Sequence, residues 1–214
     1  PNIFLIGFSY TGKTQAGREA ARLLGWDFLD TDQEIERRAG RPIPEIFQKE
    51  GEAAFRKLEA QVVREACSRE GTVVSTGGGA FVQPENRELM LSRGLVVLLE
   101  ASPETIYQRL QAHSAGAHGG VVRPLLSAPD PLERIRQLKR ERQPAYSLAH
   151  WTVHTDYLTS GQVAQEVVRA WGLLKGKLAQ GQAQDPYLAA QVTHSGGSYP
   201  VLVGWGLLEQ LGER

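Results

Sequence analysis

The sequence predicts an α/β fold, a parallel five-stranded sheet flanked by helices on both faces and carrying a lid. Three observations predict it. Short apolar runs at residues 2 to 6, 26 to 29, 72 to 75, 95 to 99 and 151 to 154 alternate with helical patterns. The runs are apolar rather than alternating in polarity, as strands covered on both faces are. Polar, glycine-rich motifs begin where the runs stop, and ligands gather at the carboxyl ends of parallel strands.

The first run, Asn2-Ile3-Phe4-Leu5-Ile6, leads directly into Gly7-Phe8-Ser9-Tyr10-Thr11-Gly12-Lys13-Thr14. This is a P-loop, the phosphate-binding turn between a strand and a helix. Gly7 and Gly12 let the backbone curl so that N–H groups point at phosphate oxygens. Lys13 reaches the β and γ phosphates, and Thr14 offers a hydroxyl to Mg²⁺. Helix formers follow from Thr14 and Gln15 to Leu24, stopped by Gly25. A nucleoside triphosphate is the expected ligand, but a P-loop alone does not separate a kinase from a switch or a motor.

At the end of the second run, Phe28-Leu29-Asp30-Thr31-Asp32 sets two carboxylates two positions apart. One can hold a Mg²⁺-bound water while the other accepts a hydrogen bond from an acceptor hydroxyl. Capping of the next helix, 31 to 38, by Asp32 is compatible with that role. A helix over 51 to 69 opens with Gly51-Glu52-Ala53-Ala54-Phe55-Arg56-Lys57-Leu58-Glu59, where Glu59 can orient Arg56 toward an anion or form only a surface pair with it. Cys67 falls within this helix as a small apolar group. The third run ends in Ser75-Thr76-Gly77-Gly78-Gly79, whose glycines admit close approach of a ligand and whose Ser75 could hold a metal-bound water.

Helices are expected at 84 to 93 and 103 to 111, on either side of the fourth run. Glu100, at the end of that run, reads as structural, because Asp30 and Asp32 already supply the acids. Residues 112 to 122 are small and Gly-rich and read as a flap; His113 and His118 within it lack a carboxylate or thiol companion, so no metal site is expected there. Helices at 130 to 147 and 160 to 174 complete a domain over 1–175. Residues 176–188 read as a linker. Residues 189–214 read as a hairpin around Gly196-Gly197 with a short helix at Leu207 to Leu211.

The bulk composition narrows the partners. The chain has 214 residues with 24 basic and 24 acidic side chains, which gives no electrostatic basis for a nucleic-acid groove or an anionic membrane surface. Among the cations, 18 are arginine and 6 lysine, and the guanidinium fork suits phosphate and carboxylate. A single cysteine excludes an intramolecular disulfide, and no apolar stretch approaches the length of a membrane span. A reducing cytoplasm is the expected setting.

In succession, GFSYTGKT, FLDTD, GEAAFRKLE, STGGG, VVRPLL and RERQPAY resemble the shikimate kinases, P-loop kinases of the nucleoside monophosphate kinase fold, over residues 1 to about 174. The resemblance implies ATP-dependent phosphorylation of the 3-hydroxyl of shikimate, in the route to aromatic amino acids. It implies that Lys13, Asp32 and Arg123 are catalytic. Gly7, Tyr10, Thr11, Gly12, Lys13, Thr14, Gln15, Arg109 and Arg123 would bind the nucleotide, with Arg109 packing on adenine. Asp32, Arg56, Gly78, Gly79 and Arg142 would bind shikimate, the two arginines gripping its carboxylate, while Thr14 and Asp30 serve Mg²⁺. Tyr10-Thr11 is bulkier than the family's usual residues there, and the flap is longer. The alternative within the same fold is a sugar-acid kinase such as gluconate kinase. An Asn-Lys-x-Asp guanine-reading motif is absent, which argues against a switch protein. Residues 192 to 208 resemble the opening hairpin of 3-dehydroquinate synthase, which implies a covalent continuation into such a domain, with only its beginning present here.

Overall fold

The computed structural model describes residues 1–114, 129–179, 188–194 and 197–202. Five parallel strands form one sheet: β1 (Asn2–Ile6), β2 (Asp27–Asp30), β3 (Thr72–Ser75), β4 (Gly94–Glu100) and β5 (Trp151–His154), in the spatial order β2-β3-β1-β4-β5. Chain direction across the sheet reverses at β1, which pairs with β3 on one side and β4 on the other. That is the crevice where such sheets bind ligands, and the P-loop leaves from it.

Alternation along β1 divides the apolar run between two cores. Ile3 and Leu5 face a layer closed by α1 (Lys13–Leu24) and α7 (Ser160–Ala179); Phe4 and Ile6 face the opposite layer, with Val63 and Ala66 of α3 (Ile43–Cys67), Met90 of α4 (Pro84–Arg93) and Tyr146 of α6 (Pro131–Tyr146). Buried Asn2 pins the start of β1. Its amide nitrogen donates to the carbonyls of Ala66 and Arg69, and its oxygen accepts from the Thr72 N–H. The remaining helices are α2 (Thr31–Ala39) and α5 (Pro103–Ser114).

Four expectations need correction. The helix expected from residue 51 begins at Ile43 and bends at Gly51, which has φ 80°. Pro42 and Pro44 lie at its N-terminus, where a missing N–H is no loss and a fixed φ favours the first turn. Cys67 is the buried last residue of α3 rather than mid-helix, and burial pushes its thiol up to about 11. The helix expected to stop at 174 continues to Ala179, so residues 176–179 belong to α7 and not to the linker. Leu174 and Leu178 pack on the α1/α7 core layer, an apolar partner that a solvated linker would lack. Finally, α2 is capped by Asp30, whose side chain accepts from the N–H groups of Asp32 and Gln33, and not by Asp32.

After α7, β6 (Leu188–His194) pairs antiparallel with β7 (Gly197–Leu202). Residues 112–114 of the expected flap, with His113, are instead the end of α5. The rest of the flap with His118, Arg123 just after it, and the short helix expected at Leu207 to Leu211 lie outside the described residues. Among the described residues no helix is long and apolar enough to cross a membrane.

One packing detail makes stability depend on pH. His150 Nδ1 accepts the Val96 N–H at 3.0 Å, and burial lowers its pKa from 6.5 to about 4. The folded state therefore favours the neutral ring. Its contribution is complete above pH 6.5 and is lost as pH falls toward 4, on the order of 2 kcal/mol. Melting curves across that range should show a steeper acid loss for the wild type than for His150→Gln. Equal slopes would remove His150 from the account.

Candidate active site

Two loops meet at the carboxyl ends of β1 and β3. The P-loop runs from Gly7 to Thr14, and its shape is set from inside. Gly7 has φ 132°, and a Cβ there would lie 2.3 Å from the Leu99 carbonyl oxygen of β4, so only glycine fits. Tyr10 adopts φ 65° and Gly12 φ 90°. The Thr11 hydroxyl donates to the Phe8 carbonyl at 2.9 Å. Lys13, the first residue of α1, is buried, with Nζ donating to the carbonyls of Gly7 at 2.9 Å and Phe8 at 2.6 Å. Gly12 and Gln15 are exposed at the mouth of the loop. Arg109 of α5 donates to the Tyr10 carbonyl at 3.1 Å and, through its other terminal nitrogen, to the Thr155 carbonyl at 2.6 Å, tying the P-loop to the end of β5.

Asp30 links this loop to the second strand. While Oδ1 caps α2, Oδ2 accepts the Thr14 hydroxyl at 2.7 Å. Two hard oxygen donors at a P-loop suit Mg²⁺, which keeps most of its water and takes few protein ligands.

The other loop is Gly77-Gly78-Gly79, and each glycine is pressed against a different group. A Cβ on Gly77 would lie 2.7 Å from Asp32 Oδ1 and 3.0 Å from Glu59 Oε1. On Gly78 it would lie 3.2 Å from Arg142 Nη1 and 3.4 Å from the Gly7 carbonyl oxygen. On Gly79 it would lie 2.6 Å from Arg56 Nη1. The glycines are thus the hub on which both acids, both arginines and the P-loop converge. Thr31, fully buried, accepts the Gly77 N–H at 3.0 Å and holds α2 to this hub.

Arg56 and Glu59 are more than a surface pair. Arg56 Nη1 donates to Glu59 Oε2 at 2.7 Å, and the Glu59 side chain is only 1% exposed. Burial raises the Glu59 carboxyl despite the Arg56 guanidinium beside it, and Oε1 has no hydrogen-bond partner among the described residues. Arg56 also pairs with Glu52 and lies over the Phe55 ring. Arg142 of α6 lies over Phe8 at 5.1 Å and donates to the Gly78 carbonyl at 3.1 Å. Glu100, at the end of β4, pairs with Lys139.

Of the residues the sequence singles out, Lys13, Thr14, Asp30, Asp32, Arg56, Gly78, Gly79 and Arg142 come together around the two loops. Arg109 stands beside them. Arg123 lies outside the described residues. Sequence reasoning passed over Thr31, inside the FLDTD motif, and Tyr146, inside RERQPAY. Each was visible as the polar member of a motif whose charged residues drew the attention.

The shikimate kinase family matches residues 10–171. A shikimate kinase of Deinococcus radiodurans is 46% identical over 170 residues, covering 79% of this chain and 83% of its own; one of Thermus thermophilus is 45% identical over 166 residues, covering 78% and 87%. Among solved structures, the shikimate kinase of Acinetobacter baumannii in complex with shikimate superposes with TM-score 0.73 at 42% identity, covering 83% of this chain and 95% of that one. A gluconokinase from Sinorhizobium meliloti shares the fold alone, with TM-score 0.54 at 18% identity. With its P-loop, Asp32 and two arginines gathered on one glycine turn, and with these relatives across most of its length, the chain belongs to the shikimate kinase family and is a phosphotransferase.

Proposed function

We propose that the two loops divide phosphorylation of the shikimate 3-hydroxyl by ATP between them. The convergence of Asp32, Arg56 and Arg142 on the triple glycine, with the P-loop against Gly78, carries this reading. On the nucleotide side, the loop N–H groups and Lys13 cradle the phosphates, with Tyr10, Thr11, Gln15 and Arg109 flanking them. Thr14 and Asp30 would hold Mg²⁺, which when bound neutralises charge on the β and γ phosphates. Across the turn, Arg56 and Arg142 grip the shikimate carboxylate, and Glu59 aims Arg56. Gly78 and Gly79 meet the ring. Asp32 accepts the hydroxyl proton as the oxygen attacks, and Lys13 and Arg123 stabilise the charge spreading over the transferred phosphoryl group. Such chemistry needs positioning and positive charge more than covalent help. A coupled ADP-release assay with shikimate, with gluconate and with no acceptor tests the reading; comparable release in all three would refute it.

The cytoplasm is the proposed setting. The β6–β7 hairpin is proposed as the start of a synthase-like body joined through residues after α7, supported by its antiparallel pairing, since a lone two-stranded hairpin is marginal in water. Because α7 runs to Ala179, ending the chain after Ala179 is expected to keep full shikimate-dependent activity, whereas ending it at Lys175 removes Leu178 and costs about 1 kcal/mol or more. Loss of activity in the longer truncate would make the hairpin part of the kinase.

A further inference from the structure

The Gly78 carbonyl receives two side-chain donors, the Tyr146 hydroxyl at 2.6 Å and Arg142 Nη1 at 3.1 Å. Tyr146 is the last residue of α6, 2% exposed, with its ring packed in the core layer beneath β1. Only its hydroxyl reaches the site. From within the apolar layer, the phenol is pushed by burial up to about 12, so the hydroxyl keeps its proton and remains a donor at neutral pH.

We infer that Tyr146 is a positioning residue for shikimate, holding the peptide between Gly78 and Gly79 in one orientation through its hydrogen bond to the Gly78 carbonyl.

No peptide bond in the described chain is cis, so the C=O of Gly78 and the N–H of Gly79 lie in one plane and point in opposite directions. Fixing the carbonyl on Tyr146 and Arg142 therefore fixes the direction of the Gly79 N–H as well. That N–H donates to no acceptor among the described residues. The peptide spans the two arginines: Arg142 bonds its carbonyl, and the Gly79 Cα stands against Arg56. A carboxylate gripped by both guanidinium groups meets this N–H between them. A glycine pair has unusually wide backbone freedom and would otherwise sample several orientations. Arg142 is the less committed of the two donors, because in the proposed grip its fork also serves the anion. The phenol, locked in the core, does not shift. Gly78 also lies against Gly7 and Ser9 of the P-loop, so an effect through the loop as a whole would reach both substrates, while an effect through the Gly79 N–H reaches shikimate alone.

This inference rests on Arg56, Arg142 and the glycine turn being the shikimate side. Tyr146→Phe keeps the ring and removes only the hydroxyl. The shikimate KM is expected to rise about fivefold, with a smaller change in kcat and the ATP KM within about twofold. The melting temperature should fall by only a few degrees, since Arg142 still donates to the carbonyl. Independently of turnover, the Gly79 amide resonance of ¹⁵N-labelled protein should shift and broaden in Tyr146→Phe, while those of Gly12 and Lys13 stay in place. An unchanged shikimate KM, equal rises in both KM values, or an unmoved Gly79 resonance would overturn the inference. Absence of shikimate-dependent turnover in the wild type would instead refute the functional reading, and the amide resonance would still decide the role of Tyr146 in holding the peptide.

Discussion

Lys13→Met is expected to lower kcat by about 10³ at saturating ATP and shikimate, the largest loss of any single replacement in the site. Methionine keeps the length of the side chain and its fit in the buried slot at the start of α1, but removes the charge. The side chain is 9% exposed, in a cleft where charge is poorly screened, so the stabilisation lost is larger than a surface cation would give. Two carbonyls, those of Gly7 and Phe8, lose a donor. The loop nonetheless keeps its shape, because the Thr11 hydroxyl also donates to the Phe8 carbonyl and Gly7 remains locked against Leu99. Melting temperature should therefore change far less than rate. A kcat within tenfold of wild type in the coupled assay would remove Lys13 from the transition state.

Arg56→Ala is expected to weaken shikimate binding by roughly 2 to 3 kcal/mol while ATP binding stays nearly intact, measured by calorimetry. Parallel losses for both substrates would place Arg56 on the nucleotide side or in the fold. The structure adds a second consequence. Glu59 is buried and, among the described residues, has one oxygen paired to Arg56 and no hydrogen-bond partner for the other. Without the guanidinium its carboxyl, already raised by burial, rises further. A raised carboxyl contributes stability below its unfolded value near 4.5 and loses that contribution as pH climbs through the folded value. The variant should thus melt well below the wild type at pH 7, with the gap narrowing toward pH 5. Adding Glu59→Gln should recover much of the stability without recovering shikimate affinity. A pH-independent gap would mean that Glu59 is not the strained group.

Both effects were only partly legible in the sequence. The chemistry of Lys13 follows from eight consecutive residues, because a phosphate cradle is made by contiguous backbone and tolerates no gaps. The i to i+3 spacing of Arg56 and Glu59 was equally plain, but whether the pair lay in solvent or in a core depended on what packed over α3. FLDTD located two acids, yet their division of labour came from folding: Asp30 faces both the cap of α2 and Thr14, and Asp32 faces Gly77. The first half of α3 was hidden by prolines that break a helix in its middle and favour one at its start.

Determined by the sequence alone were the five strands and their order in the chain, the P-loop, the acid pair, the candidate arginines and the resemblance to one kinase family. All are local patterns or successions of them, set by backbone geometry and side-chain period. Only the tertiary structure decided that Gly77, Gly78 and Gly79 touch Asp32, Arg142 and Arg56 in turn, that the Tyr146 hydroxyl holds a carbonyl 68 positions away, and that α7 runs on to Ala179. The physical reason is common to all three. Each depends on which surfaces the packed sheet brings within contact distance, and burial and approach between distant segments leave no periodic trace in any one of them.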